Sequence, residues 1–203
     1  MTETYARLKQ QITERGPWQQ TASGTAFFLD DPRASEVSAC DVAVALGKQC
    51  RYNGHTEVFY SVAQHATMIS VWMQEDNYPL DWCLAGLHHD SAEAYTGDII
   101  AQVKHLVPAI KELENRVDVA VREAFGIVLT DEIRDTVKEY DFIALSTEVR
   151  DLLSQNLTKY SWGDLPPPRF QRLKPLGPEA ATIQFYVRHN FIKRKLEEGK
   201  KYA

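Results

Sequence analysis

Ser61-Val62-Ala63-Gln64-His65-Ala66-Thr67-Met68-Ile69-Ser70-Val71-Trp72-Met73-Gln74 sets Val62, Ala66, Ile69 and Met73 at intervals of four, three and four. That is the spacing of one face of an α-helix. The same period recurs on both sides of it. Residues 38–50 carry Val42, Ala45 and Leu46 on one stripe, and Ser38 stands three residues ahead of Asp41, the spacing of a capping box. Residues 80–95 carry Leu80, Leu84, Leu87 and Ser91 on one face and close at Gly97. Residues 109–125 follow Ile110, Leu113, Val117 and Val121 to Gly126, and residues 131–153 turn Ile133, Val137, Ala144, Leu145 and Leu152 inward. A last helix is expected over 179–196, and a short polar helix over 3–15 that stops at Gly16-Pro17. Only residues 26–29 read as a strand, and the proline-rich stretch 163–178 reads as an ordered surface loop. The expected fold class is all-α: one domain over residues 1–203, a helical bundle with a short extended N-terminal segment and a core over about 23–153.

Bulk composition narrows the function. Hydrophobic residues make up 44% of the 203-residue chain and charged residues 25%, which suits a soluble globular domain. With 23 Lys and Arg against 28 Asp and Glu, the net charge of −5 argues against general nucleic-acid binding. The basic cluster Lys193-Arg194-Lys195 is followed by Glu197 and Glu198 and reads as a solvated helix end. The three cysteines show no Cys-x-x-Cys spacing, which fits a reducing compartment, the cytoplasm. No apolar run is long enough to span a membrane, and no leader peptide is visible at residues 1–20. None of the ten glycines forms a G-x-G or P-loop pattern, and no G-x-S-x-G marks a serine hydrolase.

The polar residues on the apolar faces carry the chemistry. His65 lies three after Val62 and four before Ile69, and Asp141 lies four after Val137 and four before Leu145. Both therefore project toward the core side. His89 and Asp90 share the helix of Leu84 and Leu87. A buried carboxylate costs several kcal/mol unless it is paired or holds a cation. Two imidazoles and two carboxylates on separate apolar faces call for a common partner, and a divalent zinc, manganese, iron or cobalt ion suits that donor set. Taken singly, each residue also fits a satisfied core histidine or an Asp–Arg pair. Glu93, one turn beyond His89, is placed to move a proton, and Asp98 sits just past Gly97 at the helix exit.

Three stretches together resemble the HD-domain phosphohydrolases: Cys50-Arg51-Tyr52-Asn53-Gly54-His55, Phe59-Tyr60-Ser61-Val62-Ala63-Gln64-His65, and Leu87-His88-His89-Asp90-Ser91-Ala92-Glu93-Ala94-Tyr95-Thr96-Gly97-Asp98-Ile99. More narrowly, they resemble the bacterial, prophage and phage branch that holds small 5′-deoxynucleotidases and phage dATP triphosphohydrolases. The resemblance implies a metal held by His65, His89, Asp90 and Asp141, the ion being cobalt, manganese, zinc, iron or magnesium. It implies Glu93 in catalysis and Asp98 beside the sugar and the reacting centre. It implies a phosphate contact for Arg51, followed here by Tyr52 where the relatives carry tryptophan. Lys104 is expected to neutralise phosphoryl charge, with a surface lysine as the alternative. His55, in the glycine-flanked loop near Arg51, is either a phosphate contact or a surface histidine. The implied partner is a small nucleotide, and relatives are often dimers or larger; the Phe27-Phe28-Leu29 run would serve as an interface or as core. Three functions follow: a 5′-nucleotidase releasing phosphate from deoxynucleoside monophosphates, a dNTP triphosphohydrolase releasing triphosphate, or a catalytically silent nucleotide- or partner-binding protein of the same fold.

Overall fold

The computed structural model describes residues 12–156 and 160–201. Its elements in chain order are the strands β1 (Ile12–Thr13), β2 (Gly16–Gln20) and β3 (Ala26–Phe28), then the helices α1 (Ala39–Lys48), α2 (Val62–Glu75), α3 (Leu80–His88), α4 (Glu93–Thr96), α5 (Ala101–Leu106), α6 (Pro108–Phe125), α7 (Asp131–Leu152) and α8 (Pro178–Lys201). The helical class agrees with the hydrophobic periodicity. No helix among the described residues is long and apolar enough to cross a membrane.

α2 is the centre of the bundle, packed by α1, α3, α7 and α8. Val62, Ala63, Ala66, Ile69 and Met73 on it are fully buried. Helix starts are fixed by side chains. The Ser38, Ser61 and Thr130 hydroxyls accept from the backbone N–H groups of Asp41, Gln64 and Ile133, each satisfying a donor the helix itself leaves open. Ser38 makes only half of a capping box, because the Asp41 carboxylate accepts from Ser23 N and Ser23 Oγ at 2.7 Å instead. α8 lies across α1, α2 and α3. Its approach to α1 depends on Gly47, where a Cβ would collide with the Thr182 side chain and crowd the Pro178 carbonyl.

Three expectations are corrected. The polar helix over 3–15 falls, for residues 3–11, outside the described residues; Ile12–Thr13 is instead a strand paired with Gly16 and Pro17. Arg15 holds that turn by ion pairs to Asp31 and Glu36 at 2.7 and 2.5 Å, tertiary contacts that no local pattern announces. The helix expected over 80–95 is broken between His88 and Glu93. Residues 26–29 are not the sole strand: Gly16–Gln20 pairs antiparallel with Ala26–Phe28. The Phe27-Phe28-Leu29 run is partly core: Phe27 is fully buried and stacks on Tyr95 at 3.8 Å. The strands thereby brace α4, and Gln19 Nε2 adds a bond to the Tyr95 carbonyl at 2.8 Å.

Candidate metal centre

The break after α3 brings His89 and Asp90 to one point. In a continuous helix the Gly86 carbonyl would accept from Asp90 N–H. Here the His89 side chain takes that carbonyl, donating through Nδ1 at 2.8 Å. The backbone closes with Ser91 N to His88 O and Glu93 N to Asp90 O, both at 3.0 Å. Successive residues of a helix point about 100° apart. The turn relieves that restriction, and His89 Nε2 lies 3.1 Å from Asp90 Oδ2.

The other two expected ligands come from α2 and α7. His65 is fully buried and donates through Nδ1 to Glu148 Oε1 at 2.6 Å. Its Nε2 lies 3.3 Å from His89 Nε2, 3.3 Å from Asp141 Oδ1 and 3.7 Å from Asp90 Oδ2. Ligand atoms of His65, His89 and Asp141 all fall within 4.8 Å of one another.

These residues fit a cation on their own chemistry. Each Nδ1 is committed as a donor, so a neutral ring directs its Nε2 lone pair at the other ring and at two carboxylates. Acceptors of His65, His89 and Asp141 gathered within 4.8 Å, with Asp90 Oδ2 3.1 Å from His89 Nε2, repel one another unless positive charge sits among them. Their titration reports the same field. Burial opposes charge on His89, yet Asp90 and Asp141 raise its pKa to about 9. Burial and Arg51 likewise oppose charge on His65, but Glu148 and Asp141 outweigh them and raise it. Against their own desolvation, Asp90 is held far below the usual carboxylate range by His89 and His65, and Asp141 by His65 and His89. A His/Asp group of this kind can hold a divalent metal ion.

Around the cluster, Glu148 ties three groups together. Besides His65 it accepts from Arg51 Nε at 3.3 Å and from the Tyr52 hydroxyl at 2.5 Å. Despite complete burial, Arg51 and His65 lower its pKa to about 2. Arg51 also reaches Asp90 Oδ2, at 3.4 Å. Tyr52 and Asn53 hold left-handed backbone, φ 57° and 51°, a conformation that costs non-glycine residues energy and recurs at functional sites.

Glu93 is 5% exposed, and its Oε2 is buried without a partner. Its Oε1 lies 3.1 Å from Lys104 Nζ, which is also 3.0 Å from Glu114 Oε1. Burial, Asp90 and Asp98 raise Glu93 to about 9 against the pull of Lys104. Asp98 is raised by burial as well, with Arg51 opposing. Arg51, Tyr52, Asp90, Glu93, Asp98, Lys104 and Asp141 all line one cleft of about 780 Å³, a size that suits a small-molecule ligand. His55 is exposed and does not line it; its backbone N–H closes the Arg51–Gly54 turn on Tyr52 O at 2.9 Å.

Sequence reasoning missed Glu148, although it stands seven residues after Asp141, two turns along the same helix face. It also missed the purpose of His88, whose Nδ1 meets Ser91 Oγ and whose Nε2 meets His189 Nδ1, both at 2.8 Å. That buried pair fastens α8 to the turn carrying His89 and Asp90.

A helical bundle that gathers a histidine from one helix, a His-Asp pair from a turn and an aspartate from a later helix has the architecture of the HD-domain superfamily. The family described as 5′-deoxynucleotidase YfbR-like matches residues 48–158, which contain all four of these residues, Glu93 and Glu148. The chain is also 36% identical over 172 residues to the uncharacterized protein YfdR of Escherichia coli (strain K12), covering 84% of this chain and 93% of that one. It is 30% identical over 192 residues to an uncharacterized protein of Rhodobacter capsulatus, covering 88% and 97%. The chain belongs to the YfbR-like 5′-deoxynucleotidase family.

Proposed function

We propose that the protein is a metal-dependent 5′-nucleotidase that releases inorganic phosphate from deoxynucleoside 5′-monophosphates. The observation that carries this reading is that ligand atoms of His65, His89 and Asp141 lie within 4.8 Å of one another, with Asp90 beside His89, and that Asp90 and Asp141 line a cleft that also holds Glu93, Arg51 and Lys104. A divalent cation held by those four side chains would polarise a phosphoryl oxygen and favour ionisation of water. Arg51 faces the phosphate, oriented by Glu148, with a fork suited to phosphoryl oxygens. A cation beside Asp90 would offset the negative charge that raises Glu93, and as the carboxylate Glu93 would then accept the proton of the attacking water as its oxygen bonds to phosphorus. As the P–O5′ bond breaks, the proton passes to the departing sugar oxygen. A carboxyl group whose pKa is carried upward is suited to that two-way transfer. Lys104 keeps Glu93 in place and offsets charge on the phosphoryl oxygens, and Asp98 lies along the sugar.

The charge of the cleft favours a monophosphate over a triphosphate. Its lining sets four Lys and Arg side chains against five Asp and Glu, and Arg51, Lys104 and Lys138 already face carboxylates. One divalent ion leaves little surplus positive charge for a triphosphate. Incubating the metal-loaded protein with a panel of nucleoside mono- and triphosphates and identifying the product tests this. Phosphate from a deoxynucleoside monophosphate is the expected result. Triphosphate released from a dNTP would replace it with the triphosphohydrolase reading, and no product with any metal would favour a silent binding protein.

A further inference from the structure

The cleft is not uniformly charged. Tyr52, Ile99, Ile100, Leu145 and Trp162 give it an apolar and aromatic side alongside the charged residues. Trp162 is the unusual member. A tryptophan ring carries a large apolar surface that folding normally buries, yet Trp162 keeps 41% of its surface exposed while lining this cleft. It belongs to the segment after α7, outside the residues 48–158 that the family matches, so family membership assigns it no role.

The ring is braced from the catalytic side. It stands edge-on to Tyr52, with centroids 6.4 Å apart and planes at 87°, a preferred aromatic geometry. Tyr52 cannot easily turn away, because its hydroxyl is bonded to the buried Glu148 and its backbone is left-handed. Glu148 also orients His65. One carboxylate therefore fixes the His/Asp cluster and the aromatic pair relative to each other. In the dipeptide Arg51-Tyr52, the first residue faces Asp90 and the second faces Trp162. A ligand reaching from one to the other would carry an anion at one end and a flat apolar group at the other.

We propose that Trp162, braced by Tyr52, is the platform on which the nucleobase stacks while the 5′-phosphate lies at the His/Asp cluster. This rests on the reading of the substrate as a nucleotide. Every base has a π-face, so stacking rewards the presence of a base more than its identity. The site should require a base and discriminate weakly among the common ones.

The test is calorimetric titration of the metal-loaded protein with each common deoxynucleoside 5′-monophosphate and with 2-deoxyribose 5-phosphate, which lacks the base. Phosphate release is measured in parallel. Trp162→Ala is expected to weaken nucleotide binding by about 5- to 100-fold and to leave the baseless ligand unchanged, and Trp162→Phe should restore most of the loss. Equal losses for both ligands, or none for the nucleotides, would overturn the platform. The two readings fail separately. Nucleotides that bind through Trp162 without phosphate release uphold the platform and refute the hydrolase. Phosphate release whose kcat/KM is unaffected by Trp162→Ala does the reverse.

Discussion

In each imidazole of the cluster, the nitrogen turned away from the site is already spent. His65 spends Nδ1 on Glu148 and His89 spends it on the Gly86 carbonyl, which fixes ring orientation and leaves both Nε2 atoms for the cluster. Partners of this kind typically hold about 10- to 100-fold of a site's metal affinity. Glu148→Gln is therefore expected to weaken cation binding by that factor, read by competition against a chelator. Unchanged affinity would show that Glu148 serves packing alone. Glu93 is separable by experiment from the proposed ligands. Glu93→Gln should retain the metal and lose about 100- to 10,000-fold in turnover, whereas Asp90→Ala should lose the metal itself, measured by elemental analysis. Full activity in Asp90→Ala would refute the ligand assignment.

At the scale of elements, legibility followed the apolar period. α1, α2, α6 and α7 lie within a residue or two of their expected ends, because each begins at a serine or threonine cap or a proline and carries one continuous stripe. Where a side chain competes with the backbone, the period misleads. Residues 80–95 keep helical spacing through the break, since Leu84 and Leu87 sit before it and Ser91 is held by His88 rather than by the stripe. Helical phase nevertheless pointed His65 and Asp141 inward. It did not reveal Glu148 as their neighbour, because a buried charge declares itself only through partners from other elements. Close approach of α1 and α8 is the other tertiary feature hidden from local pattern. Gly47→Ala should cost about 1–3 kcal/mol from overpacking, seen as a lower denaturation midpoint with an unchanged slope; wild-type stability would mean that Thr182 gives way freely.

Across the whole molecule, the buried His88–His189 pair joins the C-terminal helix to the His-Asp turn. His189 is 6% exposed and packs against the rings of His88 and Phe125, with Lys193 on its own helix nearby. Burial and Lys193 lower its pKa to about 4. An unfolded histidine titrates near about 6.5, so as pH falls below that value the unfolded chain takes up a proton that the folded chain refuses until about 4. Stability is thus full above the unfolded value and declines through that window, by an upper bound of about 3 kcal/mol. Denaturation midpoints across this pH range should fall more steeply for the wild type than for His189→Gln, and identical slopes would exclude the contribution. The proposed hydrolysis depends on one catalytic cation held by His65, His89, Asp90 and Asp141. Its most direct test is metal titration of the chelator-stripped protein, with phosphate release from a deoxynucleoside monophosphate as the readout. Metal dependence requires no release without metal, release that rises with the added ion and saturates, and none in Asp90→Ala at any metal concentration; undiminished release by the stripped protein, or by Asp90→Ala, would refute it.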